Sequence, residues 1–394
     1  MSQQVMPAVI RHHPDQDEFF MRQAISLAQS ALYVPAPNPR VGCVIAREGQ
    51  VLARGSTQHV GGAHAEIMAL RDLERQGLTA EGATVYISLE PCSHYGRTPP
   101  CVDALIKVNP ARVVFAHFDP NPSVAGRGLQ ALKEAGIEVT VGVCADDALE
   151  INPGFVSRMT RGVPYVWLKV AASLDGKTAL ANGVSQWITG PQARADGHHW
   201  RARSCIVLTG IGTVRSDNPR LDVRHVVTPR QPQRGVIDPG LDISEDAALL
   251  AGCDAVIFTA NNDPEKIARL IARGARVVLV PAKPGANESV RKRVDLTAMM
   301  RWLADNDINE VHVEAGEGMN GALIAAGCVD EIVLYMAPML LGDGKGIARI
   351  PGIERLEDAA RFEFIETVRL GPDIRVRARN MSRWADLQSK LHLG

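Results

Sequence analysis

The chain has 394 residues, of which 46% are hydrophobic and 22% are charged, and its formal net charge is −1. This length predicts two or three domains, and the composition is typical of a globular protein with little disorder. The near-neutral charge argues against a dedicated nucleic-acid or anionic-membrane binder, although local basic patches could hold a small phosphorylated ligand. No apolar run reaches membrane-spanning length and the first residues show no signal-peptide pattern, so we expect a cytoplasmic protein.

Helix and strand patterns alternate through the first half of the chain. Apolar residues at helical spacing predict an opening helix over residues 17–33, and residues 41–55 predict two strands joined at a Glu-Gly turn. Further along, predicted strands alternate with predicted helices: the strands over 83–90, 112–119 and 137–143, the helices over 64–75, 101–107 and 129–136. This alternation indicates a mixed or parallel sheet covered by helices.

A second series of strand and helix patterns follows a boundary predicted near residue 160. Turn-forming and basic residues are frequent over 151–164, which is typical of a connection between domains. The strand patterns beyond it begin at Tyr165 and continue over 205–210, 234–238, 255–260, 276–280, 310–314 and 331–338, before a predicted hairpin over 362–379. We therefore predict one domain over residues 1–160, a second over 161–380 and a polar tail over 381–394.

Four residues of the first half, His64, Glu66, Cys92 and Cys101, have the chemistry of a zinc site. His64 and Glu66 open a predicted helix, Cys92 directly follows a strand, and Cys101 follows a proline pair that suits the first turn of another helix. One imidazole and two thiolates suit Zn²⁺, and three protein ligands leave the fourth tetrahedral position open for water, as in catalytic sites. Ligands near helix N-termini also experience a positive partial charge that favours the thiolate form.

Glu66 is the residue that makes such a centre catalytic. Zinc lowers the pKa of its bound water to about 7, and a carboxylate beside that water can take its proton and return it to a leaving amine. Each element alone has an ordinary structural explanation, because a lone helical histidine is usually structural and free cysteines are often just buried. The ordered combination favours a zinc-dependent deaminase in which His64, Cys92 and Cys101 bind the metal and Glu66 moves the proton.

The motifs around these residues resemble a known family. APNPRVGCVI (36–45), HAE (64–66) and PCSHYGRTPPC (91–101) resemble the deaminase domain of the bifunctional riboflavin-biosynthesis proteins. The eight-residue gap between the two cysteines departs from the P-C-x-x-C spacing of cytidine and tRNA-adenosine deaminases. The resemblance implies a cytidine-deaminase-like α/β/α fold. It also implies removal of the ring amino group from a diaminopyrimidinone that carries a ribosylamino 5′-phosphate.

The same resemblance implies substrate contacts in two loops. Asn38 falls where related deaminases orient the ring, although the Pro-Asn-Pro sequence around it is also ordinary turn chemistry. The insert between the cysteines carries His94, Tyr95 and Arg97, which could cover the ribose phosphate or could be solvated loop residues.

In the second half, Gly316–Gly321 has the pattern G-x-G-x-x-G between a strand and a short helix. A lone match of this kind is weak evidence for a dinucleotide site. As a Rossmann fingerprint it fails, because the following helix is short and the next strand ends in Ala337 and Pro338, where a ribose-binding acid is expected. The glycines could still cradle a phosphate at a helix N-terminus, or they could only close a strand–helix corner.

Longer motifs extend the family resemblance through this half. LKVAASLDGKTA (168–179), SQWITG (185–190) and TGIGTVRSDNPRLDVR (209–224) resemble the reductase domain of the same family. The resemblance implies a dihydrofolate-reductase-like α/β fold that uses NADPH. The residues that fall where the family contacts the dinucleotide are Ala171, Trp187, Thr213, Asp217, Gly316, Glu317, Gly318, Met319, Asn320, Gly321 and Ala322. Those that fall where it contacts the substrate are Ser185, Arg201, Leu221, Arg224 and Glu314.

The side chains suit these roles. Arg201 and Arg224 could clamp the substrate 5′-phosphate in bidentate fashion, and Glu314 could hold ribose hydroxyls. The structural alternatives are that Trp187 lies in the core and that the arginines are solvated surface charges.

The proton donor for reduction is open between two residues of the first strand and its turn. Either Lys169 or Asp175 could supply the proton when hydride reaches the sugar carbon. Asp175 could equally cap its Asp-Gly turn.

We therefore predict a two-domain α/β enzyme that uses Zn²⁺ to deaminate a phosphorylated pyrimidine and NADPH to reduce the ribosyl group to ribityl. Its partner is this small-molecule substrate, with no nucleic acid and no membrane, and the resemblance implies a homo-oligomer, as a dimer through the second domain. One alternative is a cytidine-type nucleoside or nucleotide deaminase fused to an unrelated nucleotide-binding domain. Another is a non-catalytic binding protein stabilised by zinc.

Overall fold

The computed structural model describes residues 14–34, 37–95, 99–122, 124–252, 254–282 and 293–391, which form two compact units. The first unit comprises Met1–Leu32, Arg40–Ile151 and Leu391–Gly394, and the second comprises Tyr33–Pro39 and Asn152–Lys390. The division after Ile151 precedes the boundary predicted near residue 160, because the helix Pro153–Arg161 belongs to the second unit.

The first unit is built on a five-stranded mixed sheet. Its helices are α1 (Pro14–Ser30), α2 (Ala65–Arg75), α3 (Cys101–Val108), α4 (Arg127–Glu134) and α5 (Ala145–Ile151). Its strands are β1 (Gly42–Arg47), β2 (Gln50–Ser56), β3 (Thr84–Ile87), β4 (Arg112–Phe115) and β5 (Glu138–Val141), in the order β2-β1-β3-β4-β5. The pairs that β1 makes with β2 and β3 are antiparallel, and the β3–β4 and β4–β5 pairs are parallel. The alternating patterns predict a mixed or parallel sheet, and the structure has a mixed one.

Helix α1 packs closely against this sheet. It buries an apolar face that includes Phe20, Met21 and Ala24, as the helical spacing of its apolar residues predicts. Its approach depends on Gly42 of β1, because a Cβ atom there would lie 1.9 Å from the carbonyl oxygen of Ala24. A glycine at this position therefore brings helix and sheet into backbone contact.

The second unit is built on a nine-stranded sheet. Its helices are α6 (Pro153–Arg161), α7 (Pro191–Arg203), α8 (Ile211–Asp217), α9 (Pro264–Ala272), α10 (Leu296–Asp305), α11 (Glu317–Ala325) and α12 (Met381–Ser389). The strands of the sheet are β6 (Tyr165–Ser173), β8 (Ile206–Gly210), β9 (Gln233–Ile237), β10 (Ala255–Thr259), β11 (Arg276–Leu279), β12 (Glu310–Glu314), β13 (Glu331–Ala337), β15 (Glu363–Leu370) and β16 (Asp373–Arg379). A separate two-stranded ribbon pairs β7 (Lys177–Leu180) with β14 (Gly344–Gly346).

The order in the large sheet is β11-β10-β9-β8-β12-β6-β13-β16-β15. The strands from β11 to β13 are parallel, and β16 and β15 close the sheet as an antiparallel hairpin, as predicted. Strands β8, β10 and β12 are buried along nearly their whole length, which is typical of parallel strands with both faces covered. The carboxyl ends of β6, β8, β9 and β12 therefore meet at one edge of the sheet.

Residues 381–391, part of the predicted polar tail, begin with an ordered helix. Asn380 caps α12 by accepting a hydrogen bond from the backbone N–H of Arg383 at 3.2 Å. Trp384 and Leu387 are buried, so this helix contributes to packing. No helix in the part of the chain that the structure describes is long and apolar enough to cross a membrane.

Candidate functional site

Three potential metal ligands meet in the first unit. The Nδ1 atom of His64 lies 3.5 Å from Sγ of Cys92 and 3.3 Å from Sγ of Cys101. All three ligand atoms lie within 4.8 Å of one another. In tetrahedral zinc sites the Zn–N distance is about 2.0–2.1 Å and the Zn–S distance about 2.3 Å, which gives ligand–ligand separations of this size. The donor set and its spacing therefore fit Zn²⁺.

Local backbone structure places these ligands. His64 directly precedes α2, whose first turn lies against β2 because Gly55 has no side chain: a Cβ atom there would be 2.1 Å from the carbonyl oxygen of Ala65. Cys101 is the first residue of α3, and its backbone N–H donates to Sγ of Cys92 at 3.3 Å. Hydrogen bonds from Cys101 and His64 hold the pKa of Cys92 well below its ordinary value. A thiolate at this position is the form that binds a metal.

Glu66 lies in the first turn of α2, two residues after His64, and its side chain is buried. Burial, together with the neighbouring Cys92 thiolate, raises the pKa of Glu66 to about 7. A carboxyl group whose pKa is near the working pH can both take up and release a proton. The arrangement can therefore perform general acid–base chemistry beside a metal ion.

The other predicted residues of the deaminase site lie in loops. Asn38 is half-buried in the segment Tyr33–Pro39, which belongs to the second unit. His94 and Tyr95 are exposed, and the Tyr95 hydroxyl donates to Asp103 at 3.3 Å. Arg97 lies outside the described residues. The roles of these side chains stay predictions.

The second unit contains a groove of about 1550 Å³ along the carboxyl ends of its central strands. This edge is where open parallel sheets bind ligands. Most of the predicted reductase residues line the groove: Ala171, Ser185, Trp187, Arg201, Thr213, Asp217, Leu221, Arg224, Glu314, Gly316, Glu317, Gly318 and Met319. The structure thus brings together residues that are far apart in the sequence.

The second half of the glycine run has a different position. Asn320 and Gly321 do not line the groove, and neither does Ala322. Asn320 is buried and donates to the carbonyl oxygen of Ile347 at 2.8 Å, and a Cβ atom at Gly321 would lie 1.9 Å from the carbonyl oxygen of Arg349. These two residues fix α11 to the 344–349 segment, so the run divides into a groove-facing half and a packing half.

Trp187 lies in the groove and outside the core. Its side chain is 66% exposed, and the Arg194 guanidinium lies 4.6 Å from the centroid of its ring. The alternative of a core tryptophan is therefore wrong.

A partly buried cluster of charged side chains forms the floor of the groove. Arg201 donates to both carboxylate oxygens of Glu314, at 2.5 Å from Nε and 2.9 Å from Nη2. Lys169 Nζ lies 3.9 Å from the same carboxylate. Burial opposes the charge on Glu314, but the adjacent Arg201 and Lys169 cations hold its pKa well below its ordinary value. Burial also lowers the pKa of Lys169, against the attraction of Glu314.

This cluster changes the expectation for the two arginines. The Arg201 side chain is only 14% exposed and is held by Glu314, so it is not a solvated surface charge. Arg224 is half-exposed in the groove and contacts Asp222 through Nη1 at 2.9 Å. Arg224 therefore has donors directed to the groove, whereas a phosphate at Arg201 would compete with Glu314.

Asp175, one of the two proposed proton donors, stabilises a turn. Its carboxylate accepts hydrogen bonds from the Ser173 hydroxyl at 2.5 Å and from the backbone N–H groups of Leu341 and Gly342 at 3.1 and 2.8 Å. The Ser173 hydrogen bond is the main reason that the pKa of Asp175 is lowered to about 2. Asp175 does not line the groove, whereas Lys169 does.

His198 also lines the groove, although the sequence motifs do not predict it. Its Nδ1 lies 3.3 Å from the backbone nitrogen of Arg224, which donates to it, and its ring meets that of His225 edge-to-face at 4.7 Å. Burial, then the nearby Arg201 and His225, lower the pKa of His198 to about 4. The spacing to Arg201 could have predicted this position, because His198 lies three residues before Arg201 and residues spaced by three share a helix face.

The depressed pKa of His198 predicts that the second unit becomes less stable in mild acid. In the unfolded chain the imidazole titrates near its ordinary pKa of 6.5. The free energy of unfolding should therefore fall as the pH drops from about 6.5 to 4, because only the unfolded state takes up the proton. Urea titrations followed by tryptophan fluorescence test this, since all five tryptophans lie between residues 167 and 384.

The variant His198→Asn should show a shallower pH dependence than the wild type. His59→Asn, at an exposed histidine of the first unit, is the control and should reproduce the wild-type profile. Equal slopes for the wild type and His198→Asn would contradict the assignment.

Comparison with known proteins gives the family of the chain. A model of the RibD C-terminal domain matches residues 164–376, and a model of the cytidine and deoxycytidylate deaminase zinc-binding region matches residues 14–117. The riboflavin biosynthesis protein RibD of Escherichia coli is 44% identical over 372 residues, covering 91% of this chain and 98% of the relative. The chain belongs to the RibD family. RibD of Haemophilus influenzae is 39% identical, covering 92% and 96%.

Solved structures of RibD proteins have the same fold. Acinetobacter baumannii RibD, form 1, superposes with a TM-score of 0.83 at 40% identity, covering 93% of this chain and 99% of that one. A diaminohydroxyphosphoribosylaminopyrimidine deaminase/5-amino-6-(5-phosphoribosylamino)uracil reductase from Thermotoga maritima superposes with a TM-score of 0.81 at 29% identity, with the same coverage. The predicted fold class, a cytidine-deaminase-like domain followed by a reductase domain, is confirmed.

Membership of the RibD family also decides between the functional alternatives. The chain is a bifunctional enzyme of riboflavin biosynthesis, with a zinc-binding deaminase domain and an NADPH-dependent reductase domain. The alternative of an unrelated nucleotide-binding domain is wrong, because the second half matches the RibD C-terminal domain. The alternative of a non-catalytic zinc protein is also wrong, because the relatives that match this chain over nearly its whole length are RibD enzymes.

Proposed function

We propose that the first unit deaminates 2,5-diamino-6-(5-phosphoribosylamino)pyrimidin-4(3H)-one and that the second reduces the resulting uracil derivative. The Thermotoga maritima relative is named for this pair of reactions. The observation that carries the proposal is the grouping of His64, Cys92 and Cys101 beside the buried Glu66. The groove floored by Lys169, Arg201 and Glu314 in the same chain supports the second step.

In the deaminase unit, His64, Cys92 and Cys101 would hold the metal and Glu66 would move the proton. Zinc, when bound, supplies the Lewis acidity that lowers the pKa of a water molecule to about 7. Glu66 takes the proton from the attacking water as its oxygen bonds to the ring carbon. Glu66 then returns a proton to the amino nitrogen, which leaves as ammonia when the C–N bond breaks.

In the reductase unit, the residues that line the groove would hold the coenzyme and the sugar of the substrate. NADPH, when bound, supplies the hydride. Lys169 donates a proton to the ribose ring oxygen, whose bond to the anomeric carbon breaks as that carbon gains hydrogen. Glu314 holds both Lys169 and Arg201 in position, and Arg224 directs its free donors to the 5′-phosphate.

A coupled assay tests this order of reactions. The purified enzyme should release ammonia from the diaminopyrimidinone phosphate, and NADPH oxidation should start only as the deaminated product accumulates. With cytidine in its place, neither signal should appear. Ammonia from cytidine, or NADPH oxidation without the first product, would contradict the proposal.

We also propose that the enzyme is a cytoplasmic homodimer that associates through its second unit. Strand β15 supports this, because it is the edge of the nine-stranded sheet and carries Phe364, which is 80% exposed. An exposed edge strand has unpaired backbone groups that a second copy can use. Light scattering should give the molar mass of a dimer for the wild type and of a monomer for Phe364→Asp. A monomeric wild type would contradict the proposed dimer.

A further inference from the structure

The groove of the second unit continues past the Lys169–Glu314 cluster to an ion pair that no catalytic step uses. Arg215 lies on α8, directly after β8, and Asp242 lies in the turn after β9. The Arg215 Nη2 atom is 2.7 Å from Oδ2 of Asp242, and the two side chains are 52% and 42% exposed. Both residues line the groove.

The turn that carries Asp242 is built around a buried carboxylate. Asp238 is fully buried and its Oδ2 accepts the backbone N–H of Ile243 at 2.8 Å. The Asp242 carboxylate folds back over Gly240, where a Cβ atom would lie only 2.6 Å from Oδ2. The backbone thus fixes Asp242, and Asp242 in turn fixes Arg215.

Arg215 has N–H donors that its contact with Asp242 does not use. A guanidinium group has five N–H donors in a planar fork, and the contact with Asp242 is made through one nitrogen. Because the side chain is half-exposed in the groove, its other donors can meet an anion there. A phosphate monoester is the group that such a fork binds in bidentate geometry.

The position of the Arg215–Asp242 pair along the sheet indicates which phosphate group of the bound ligands it would contact. The strand order β12-β8-β9 places the end of β9 two strand spacings, about 10 Å, from the end of β12, which carries Glu314. A coenzyme whose nicotinamide lay beside Lys169 and Glu314, and which extended along the groove past α8, would bring its adenosine end to Arg215. This step rests on the proposed function, which places hydride transfer at Lys169.

We propose that Arg215 binds the 2′-phosphate that distinguishes NADPH from NADH, and that the Asp242 carboxylate paired with Arg215 limits this preference. In nucleotide sites an acidic residue favours the free ribose hydroxyl, and an arginine accommodates the 2′-phosphate. Here Arg215 and Asp242 are paired. Arg215 therefore favours NADPH over NADH, and the negative charge of Asp242 weakens this preference because it repels the 2′-phosphate.

Steady-state kinetics with both coenzymes test the assignment. Arg215→Ala should raise the KM for NADPH by about tenfold or more, leaving kcat and the KM for NADH unchanged, because only the 2′-phosphate loses its charged hydrogen bonds. Asp242→Asn should lower the KM for NADPH. The matched control is Arg269→Ala, which removes an equally exposed arginine paired with Glu245 at 2.7 Å outside the groove.

Calorimetric binding of adenosine 2′,5′-bisphosphate and of 5′-AMP gives a readout that does not need turnover. The wild type should bind the bisphosphate more tightly than 5′-AMP, and Arg215→Ala should remove that difference. A preference that persists in Arg215→Ala, or an equal loss for both ligands, would overturn the proposal. A wild type that oxidises neither coenzyme would instead contradict the proposed function, and the binding data would still decide the role of Arg215.

Discussion

Glu66→Gln is expected to slow ammonia release by about 10²–10⁴-fold, the usual contribution of a positioned acid–base group. The substitution keeps the size of the side chain but removes the carboxylate that takes up and returns the proton. The three proposed ligands are untouched, so zinc content, measured by atomic absorption, should equal that of the wild type. NADPH oxidation with the deaminated substrate should also be unchanged, because that step belongs to the other unit.

A matched control lies on the same helix. Glu74 is an exposed residue of α2, so Glu74→Gln should keep full deaminase activity. If Glu66→Gln released ammonia at the wild-type rate with its zinc in place, the acid–base role of Glu66 would be lost. A fall in both zinc and ammonia release would show that Glu66 supports the metal centre instead.

Lys169→Met is expected to lower the reductase kcat by about 10²–10⁴-fold, since it removes the proposed proton donor while keeping an unbranched side chain of similar length. Lys169→Arg should be nearly as slow, because an arginine keeps the positive charge but does not release its proton at neutral pH. Ammonia release by the first unit should be unaffected. The measurement is NADPH oxidation with the deaminated substrate supplied directly.

The comparison of the two variants separates a proton donor from a structural cation. If the arginine variant restored activity, Lys169 would act through its charge on Glu314 and not through its proton. Lys390→Met, at an exposed lysine of the same unit, is the control for loss of a charge and should leave kcat unchanged. Thermal unfolding of all three variants would show whether the substitution of the partly buried Lys169 also destabilises the unit.

The zinc centre could be predicted from the sequence because its residues are placed by local structure. His64 directly precedes α2, Cys101 begins α3, and Cys92 lies in the short connection between β3 and α3, so the spacing of the motifs in the sequence already places the three ligands close together. The alternation of strands and helices likewise predicted both sheets, and the closing hairpin was recognised from its turn and flanking strands.

The floor of the reductase groove could not be predicted in the same way. Arg201 and Glu314 are separated by more than a hundred residues and meet only because β12 lies between β8 and β6. No sequence pattern gives that strand order. Arg201 was therefore predicted to bind the substrate 5′-phosphate, and its ion pair with Glu314 was not predicted. The packing role of Asn320 was hidden for a related reason, since it depends on a contact with the distant Ile347.

The divided glycine run has a consequence for how this enzyme can be altered. Gly316 has open space where a side chain would begin, and Gly318 faces only the flexible end of Arg349, whereas Gly321 touches backbone. A mutant library of the groove can therefore diversify Gly316 and Gly318 and reshape this wall of the groove. Position 321 has to stay glycine, because even a methyl group there would separate α11 from the neighbouring chain.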